Sequence, residues 1–310
     1  MGQLIRPRGQ GYNAGVDTSV DPAAKEPSGG VPGAARRRFL KRAALGAAGL
    51  LGTGALWTFT IEPRQLVVRR ITARIPDLPA ALEGFTIGQL SDLHAGLLVP
   101  EDRIRRAADV AMSLRPDLIA VTGDYVWRGA GNAETCARAL SVLKAPYGVY
   151  GVLGNHDYWT GDVARVTRSL TDIGVTMLIN DSARLETGGT AWWLCGVDDV
   201  WSGKPDLETT SAGVPDQAFR LLLCHEPDYA DTAAEHGIPL QLSGHSHGGQ
   251  VRLPLLGPPI LPYLGRKYPI GLQRAGPSTL VYTNVGVGTI APPLRLNCPP
   301  EVTHLTLRRG

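Results

Sequence analysis

Three short apolar runs, separated by helical segments, each break off into a polar cluster. Phe85–Leu90 runs into Ser91-Asp92-Leu93-His94, Leu118–Val121 into Thr122-Gly123-Asp124, and Tyr147–Leu153 into Gly154-Asn155-His156-Asp157. Between them, Pro100–Leu114 and Ala133–Leu143 carry apolar residues at helical spacing, and Val163–Ile173 repeats the pattern before Gly174. Strands alternating with helices predict an α/β sheet, and in such sheets ligands gather beyond the carboxyl ends of the strands. A chain built this way sets Asp92, His94, Asp124, Asn155, His156 and Asp157 along one edge.

After Gly174 the helices thin out. Short strands are predicted at Ala183–Glu186, Ala191–Val197, Phe219–Cys224, Leu240–Leu242, Gln250–Leu253, Thr279–Thr283 and Val302–Leu307, and Pro63–Pro79 reads as an extended entry strand. Pro205–Asp216 and Pro254–Pro277 read as long Pro/Gly-rich loops, which in a compact domain are usually functional or mobile. Phe219–Cys224 ends in His225, and Leu240–Leu242 runs into Ser243-Gly244-His245-Ser246-His247-Gly248-Gly249-Gln250. Residues i and i+2 of a strand share a face, so His245 and His247, at a strand end bordered by glycines, can look at one point. Five of the seven histidines occupy these strand ends. His236 reads instead as a helix-end residue and His304 as a structural strand residue.

Each cluster also has a plainer reading: Asp92 as a helix cap, Asp124 and Asn155 as turn formers, His225 as a core histidine, the paired histidines as a polar turn. Their joint arrival at five strand ends favours two divalent cations held by nitrogen and oxygen donors. A donor set without thiolate suits Mn, Fe or Zn. Two such ions, about 3.5–4 Å apart, clamp the attacking and leaving oxygens of an in-line displacement, and a water bound to them ionises near neutral pH to give a hydroxide nucleophile.

The order Asp-x-His, Gly-Asp, Gly-Asn-His-Asp, His, Gly-His-x-His resembles the signature of the calcineurin-like metallophosphoesterases across roughly Gly84–Leu307. The resemblance implies an α/β fold: a four-layer α-β-β-α sandwich of two mixed sheets with outer helices. It implies that Asp92, His94 and His247 hold one metal and that Asn155, His225 and His245 hold the other, with Asp124 bridging. His156 would act near the leaving group as general acid or transition-state stabiliser, oriented by Asp157. The substrate would be a phosphoester or a pyrophosphate. Ser-Asp-Leu-His-Ala-Gly and the closing Leu-Arg-Leu-Asn-Cys-Pro-Pro-Glu are similar to an exported or membrane-attached bacterial branch of the family. Some relatives there act on lipid-linked or nucleotide-sugar pyrophosphates, including UDP-2,3-diacylglucosamine. Tyr158, Trp159, Trp192, Trp193 and Trp201 read as core or loop anchors, with Tyr158 or Trp159 near enough to a polar block to line a substrate site.

Charge separates the leader from the rest. Residues 1–42 hold eight Lys/Arg and three Asp/Glu, which leaves 23 basic against 25 acidic residues in the remainder. The near-neutral remainder offers no nucleic-acid surface. Residues 1–35 read as a disordered cytoplasmic tail. Arg36-Arg37-Arg38-Phe39-Leu40-Lys41 resembles a twin-arginine export signal, although Ala35 stands where Ser or Thr is usual. The uncharged run Ala43–Ile61 behind it is nineteen residues long and can span a bilayer core. The expectation is export by the Tat machinery to the periplasm or cell envelope, with residues 36–61 as signal or retained anchor and 62–310 as the catalytic domain. Cys136, Cys195, Cys224 and Cys298 are scattered without a Cys-x-x-Cys, which argues against thiolate zinc and redox motifs.

Overall fold

The computed structural model describes Gly15 and residues 32–310. The expected tail therefore lies almost wholly outside the described residues. Helix α1, Pro32–Leu56, runs on through a wide π-helical turn at Trp57–Ile61 and a tight 3-10 turn at Glu62–Arg64. By length and composition, Gly33–Arg64 could cross a membrane. The chain divides after Leu51 into two units, and everything below concerns the second, Gly52–Gly310. That unit begins ten residues before the expected domain boundary, because Trp57–Glu62 is bonded to it: Thr58 O accepts from Arg295 N at 3.0 Å and Glu62 Oε1 from Cys298 N at 2.6 Å.

Twelve strands form two six-stranded sheets. In chain order the elements are β1 Val67–Ile75, β2 Thr86–Leu90, α2 Glu101–Ser113, β3 Leu118–Thr122, α3 Ala133–Leu140, β4 Val149–Val152, α4 Asn155–Tyr158, α5 Val163–Thr171 and β5 Thr176–Met177. Then come β6 Asp181–Thr187, β7 Thr190–Gly196, α6 Leu207–Ser211, β8 Arg220–Leu223, α7 Ala230–Glu235, β9 Leu240–Ser243, β10 Gly271–Ala275, β11 Thr279–Thr283 and β12 Glu301–Arg309. The first sheet has the order β1-β12-β2-β3-β4-β5 and the second β10-β11-β9-β8-β7-β6. Strands β2, β3 and β4 run parallel to one another, as do β7, β8, β9 and β11, and antiparallel pairs (β12 with β2, β6 with β7, β10 with β11) make both sheets mixed.

The central strands β3 and β8 are apolar over most of their length because both of their faces are covered. On β3, Leu118 and Ala120 face the second sheet, where they pack with Leu221, Leu223, Leu240 and Leu242, while Ile119 and Val121 face α2, α3 and α5. On β8, Leu222 points outward to Leu207 and Ala233 of α6 and α7. The result is the expected four-layer α-β-β-α sandwich. All four cysteines are buried and free.

Three segments differ from expectation, the first being the expected loop Pro205–Asp216, which holds the short helix α6 capped by Asp206. Gln250–Leu253 is not a strand; it makes only isolated bridges, Val251 with Leu296 and Leu253 with Gly257. Pro254, Pro258 and Pro259 cannot donate to a ladder. Conversely, the expected loop Pro254–Pro277 contains β10, which folds back on β11 through a turn at Gly276 (φ 64°).

Candidate metal centre

The carboxyl ends of β2, β3, β4, β8 and β9 converge, so the two sheets contribute to one site. Pairing continues past β2: Asp92 N donates to Gly123 O and His94 N to Asp124 O, each at 3.0 Å. Across the sandwich, His245 N donates to Asp92 Oδ1 at 3.0 Å. Gly244 is needed for this approach, since a Cβ there would overlap Ser91 Oγ and Asp92 Oδ2. Asp92, His94, Asp124, His245 and His247 all have left-handed φ, between 50° and 67°, and make up five of the eleven such non-glycine residues among those described. Each costs about 1–3 kcal/mol and persists only where surrounding contacts enforce it. His245 and His247 therefore lie beyond β9, not on it. They face different neighbours, contrary to the shared strand face expected.

The imidazoles and carboxylates fall into two groups about Asp124. In one, His247 Nε2 lies 2.9 Å from His94 Nε2 and 3.2 Å from Asp92 Oδ1, and His94 Nε2 is 3.6 Å from Asp124 Oδ2. In the other, His225 Nε2 is 3.2 Å from Asp124 Oδ2, and His245 Nδ1 is 3.0 Å from Asn155 Oδ1. Asp92 also comes within reach of Asp124 and His225, and His156 within reach of His94 and Asp124.

Two rings have their tautomers set by carbonyls, which can only accept. His225 Nδ1 donates to Thr122 O at 2.6 Å and His245 Nε2 to Tyr263 O at 2.7 Å. In the neutral rings the opposite nitrogens present lone pairs inward, where they meet oxygens of Asp124 and Asn155. His225 Nε2 finds no hydrogen-bond partner, nor do the Nδ1 atoms of His94 and His247. Acceptor facing acceptor in a buried site is an arrangement that positive charge completes. Burial holds His94 and His245 down to about 3 and His247 well below its usual range. Burial also pushes Asp92 up to about 7. For His225, burial is overcome by Asp124, which raises it; for Asp124, burial is overcome by His225 and His156, which hold it low. The donor set therefore fits divalent ions.

His156 is half-buried at the rim. Its amide donates to Asp124 Oδ1 at 2.9 Å, its Nδ1 lies 3.3 Å from Trp127 O, and its ring stacks on Trp127 with centroids 4.6 Å apart. The fully buried Asp157 does not orient that ring, as the sequence had implied. Its carboxylate accepts from the amides of Asp124, Tyr125, Val126 and Gly154 at 2.9–3.3 Å, tying the loops after β3 and β4 together. Burial, reinforced by Asp124, pushes Asp157 up to about 8. Tyr158 turns away to Asp198 Oδ1 at 2.5 Å. His236 closes α7 and bonds Thr232 O, clear of the site.

Beside the cluster lies a cavity of about 530 Å³. Trp127, Trp159, Trp201, Ile260, Ile290 and Leu294 are among its walls. Glu226 anchors one wall by accepting from Val200 N and Trp201 N at 3.0 and 3.3 Å. Nothing in the sequence singles out Trp127 or the segment Ile290–Leu294, and Trp201 reads there only as a core or loop anchor. The available signal was loop length: Tyr125–Asn132, Asp198–Pro215 and Pro254–Pro277, whose course no pattern fixes, each supply part of the wall.

Fold and site define a two-sheet α/β protein with a buried His/Asp/Asn centre at its strand ends. A family model described as calcineurin-like phosphoesterase matches residues 85–249, and the chain belongs to that family. Membership makes it a hydrolase of a family that typically uses divalent metals. The uncharacterized metallophosphoesterase YkuE of Bacillus subtilis is 34% identical over 287 residues, 88% of this chain and 97% of that protein. The phosphodiesterase YaeI of Escherichia coli is 35% identical over 278 residues, 88% of this chain and 98% of that one. A Danio rerio "transmembrane protein with metallophosphoesterase domain" is 31% identical over 248 residues, 76% of this chain and 56% of that one.

Proposed function

We propose that the chain hydrolyses a phosphodiester or pyrophosphate bond with two divalent ions of Mn, Fe or Zn. Asp92, His94 and His247 would hold one, Asn155, His225 and His245 the other, and Asp124 would touch both. The observation that carries this reading is the convergence of imidazole nitrogens and carboxylate oxygens around Asp124. The diester preference rests on the relative named a phosphodiesterase. Bound ions would supply activation of water and neutralisation of phosphate charge. The water oxygen would bond to phosphorus as it gives up a proton to solvent, the opposite P–O bond would break, and the departing oxygen would take a proton from His156, which regains one from solvent. Trp127 holds that ring at the rim, and Asp157 holds the loop that presents Asp124. The test is metal-dependent hydrolysis of bis-p-nitrophenyl phosphate against p-nitrophenyl phosphate by the full chain in detergent.

His156→Ala should lower kcat about 10²–10⁴-fold on a diester with an alkoxide leaving group, the range for general acid catalysis. It should lose far less on p-nitrophenyl esters, whose leaving anion needs no proton. Equal losses on both substrates would assign His156 to phosphate binding instead.

The leader supports a proposal of Tat export, with residues 36–61 as signal or anchor. Arg36→Lys with Arg37→Lys should leave the chain in the cytoplasm. Unchanged export measured by protease accessibility would overturn it.

A further inference from the structure

We propose, resting on the phosphoesterase reading, that the cavity takes the hydrocarbon part of a phosphate ester lying in a lipid surface, and that the hairpin Leu253–Gly257 dips into that surface to admit it. The cavity is of ligand size. Its far wall consists of Val251, Pro259, Ile260, Ile290, Pro292 and Leu294, and no Lys or Arg lines it. Three polar side chains of its lining are bonded within the protein. Ser246 Oγ donates to Pro269 O at 2.6 Å, Gln250 exchanges hydrogen bonds with the Ile290 backbone, and Trp159 Nε1 donates to Ser202 Oγ at 2.9 Å. The aliphatic wall offers no cation to a second phosphate and a fitting surface to an alkyl chain.

The hairpin is the second observation. Leu253 and Gly257 exchange both backbone hydrogen bonds at 2.9 Å, closing a tight loop. Its tip presents Leu255 and Leu256, 106% and 81% exposed, and Ile260 nearby is 78% exposed. Leu255 has φ 65°, a left-handed conformation that a leucine enters at a cost and that glycine or asparagine would occupy more easily. A strained, fully exposed leucine is unfavourable in water and explained where the tip meets hydrocarbon.

The third is continuity with the apolar leader. Arg252 N donates to Leu296 O at 2.8 Å, Asn297 Nδ2 to Arg252 O at 2.9 Å, and Arg295 N to Thr58 O at 3.0 Å. The hairpin's base, the cavity wall and the end of the apolar helical run are thus laced together, and Trp57, Phe59 and Ile61 on that run are exposed. A lipid surface engaging Trp57, Phe59 and Ile61 would lie beside the cavity, so the occupant is a lipid of that surface.

The test uses the full chain in phosphatidylcholine–phosphatidylglycerol vesicles with a p-nitrophenyl alkyl phosphate series from methyl to decyl. KM should fall roughly three- to fourfold per methylene until the cavity is filled, the size of a buried methylene's transfer term. A flat KM across a series that is turned over would overturn the cavity's assignment. Separately, Leu256→Cys is labelled with a nitrobenzoxadiazole dye, which is selective because the four native cysteines are buried. The dye should shift to the blue on vesicles and be quenched by brominated phosphatidylcholine. An unshifted spectrum would overturn the hairpin's role. A shift that depends on protein concentration and ignores bromolipid would replace the membrane with a second copy. Leu255→Asn with Leu256→Ser should keep turnover of bis-p-nitrophenyl phosphate, since neither leucine lines the cavity, and lose the decyl ester at least tenfold. Equal turnover of both would also overturn the proposal. If bis-p-nitrophenyl phosphate itself is inert, the phosphoesterase reading fails, while the dye still reads the membrane contact.

Discussion

Asp124→Asn should lose turnover of bis-p-nitrophenyl phosphate by on the order of a thousandfold, ~4 kcal/mol of barrier. Asp124 faces both groups, 3.2 Å from His225 Nε2 and 3.6 Å from His94 Nε2. An amide keeps the volume and can still accept from His156 N through its oxygen, so the fold should survive. What it removes is the negative charge that two cations would share. Metal content after gel filtration should fall well below two per chain. The rise in melting temperature that added Mn or Zn gives the wild type, by binding the folded state alone, should shrink accordingly. A variant that keeps two ions and its turnover would remove Asp124 from the centre of the proposed chemistry.

Arg295→Leu should destabilise the protein by roughly 3–5 kcal/mol, lowering the melting temperature by on the order of 10 °C. Arg295 is fully buried and donates to four carbonyls, those of Val285, Gly286, Gly288 and Cys298, at 2.6–3.1 Å. Removing the guanidinium strands those acceptors in a dry interior. The same segment grips the backbone of the metal cluster, where Val287 N donates to Ser91 O and Gly288 N to Asp92 O at 3.0 and 2.7 Å. Activity below the melting temperature should therefore fall too. Arg295→Lys should rescue little, because one ammonium cannot reproduce a planar fork. An unchanged melting temperature in the leucine variant would show that the carbonyls find other donors.

Those two residues illustrate what sequence discloses. Asp124 was legible because it stands at the end of an apolar strand, where α/β geometry gathers ligands. Its companions at four other strand ends made the cluster a joint statement. Arg295 was silent, since nothing local marks an arginine in a Pro-rich stretch as the buried clamp of a loop. The alternating strands and their two-sided burial followed from residue pattern. The hairpin β10–β11 did not, because its short strand is embedded in proline and glycine that announce a loop. The paired histidines were found for a partly wrong reason: they converge with the site by left-handed backbone after β9 has ended. Of the walls of the cavity, the sequence marks Pro254–Pro277 as a loop and leaves Trp127 and Ile290–Leu294 unmarked.

The centre straddles a seam. Asp92, His94, Asp124 and Asn155 come from the first sheet, His225, His245 and His247 from the second, so neither half of the sandwich can build the site alone. Ions bound there would rivet one half to the other, and loading them would certify that both halves have closed. The strained backbone at five of these residues fits the same logic: it is tolerable only once the halves have met.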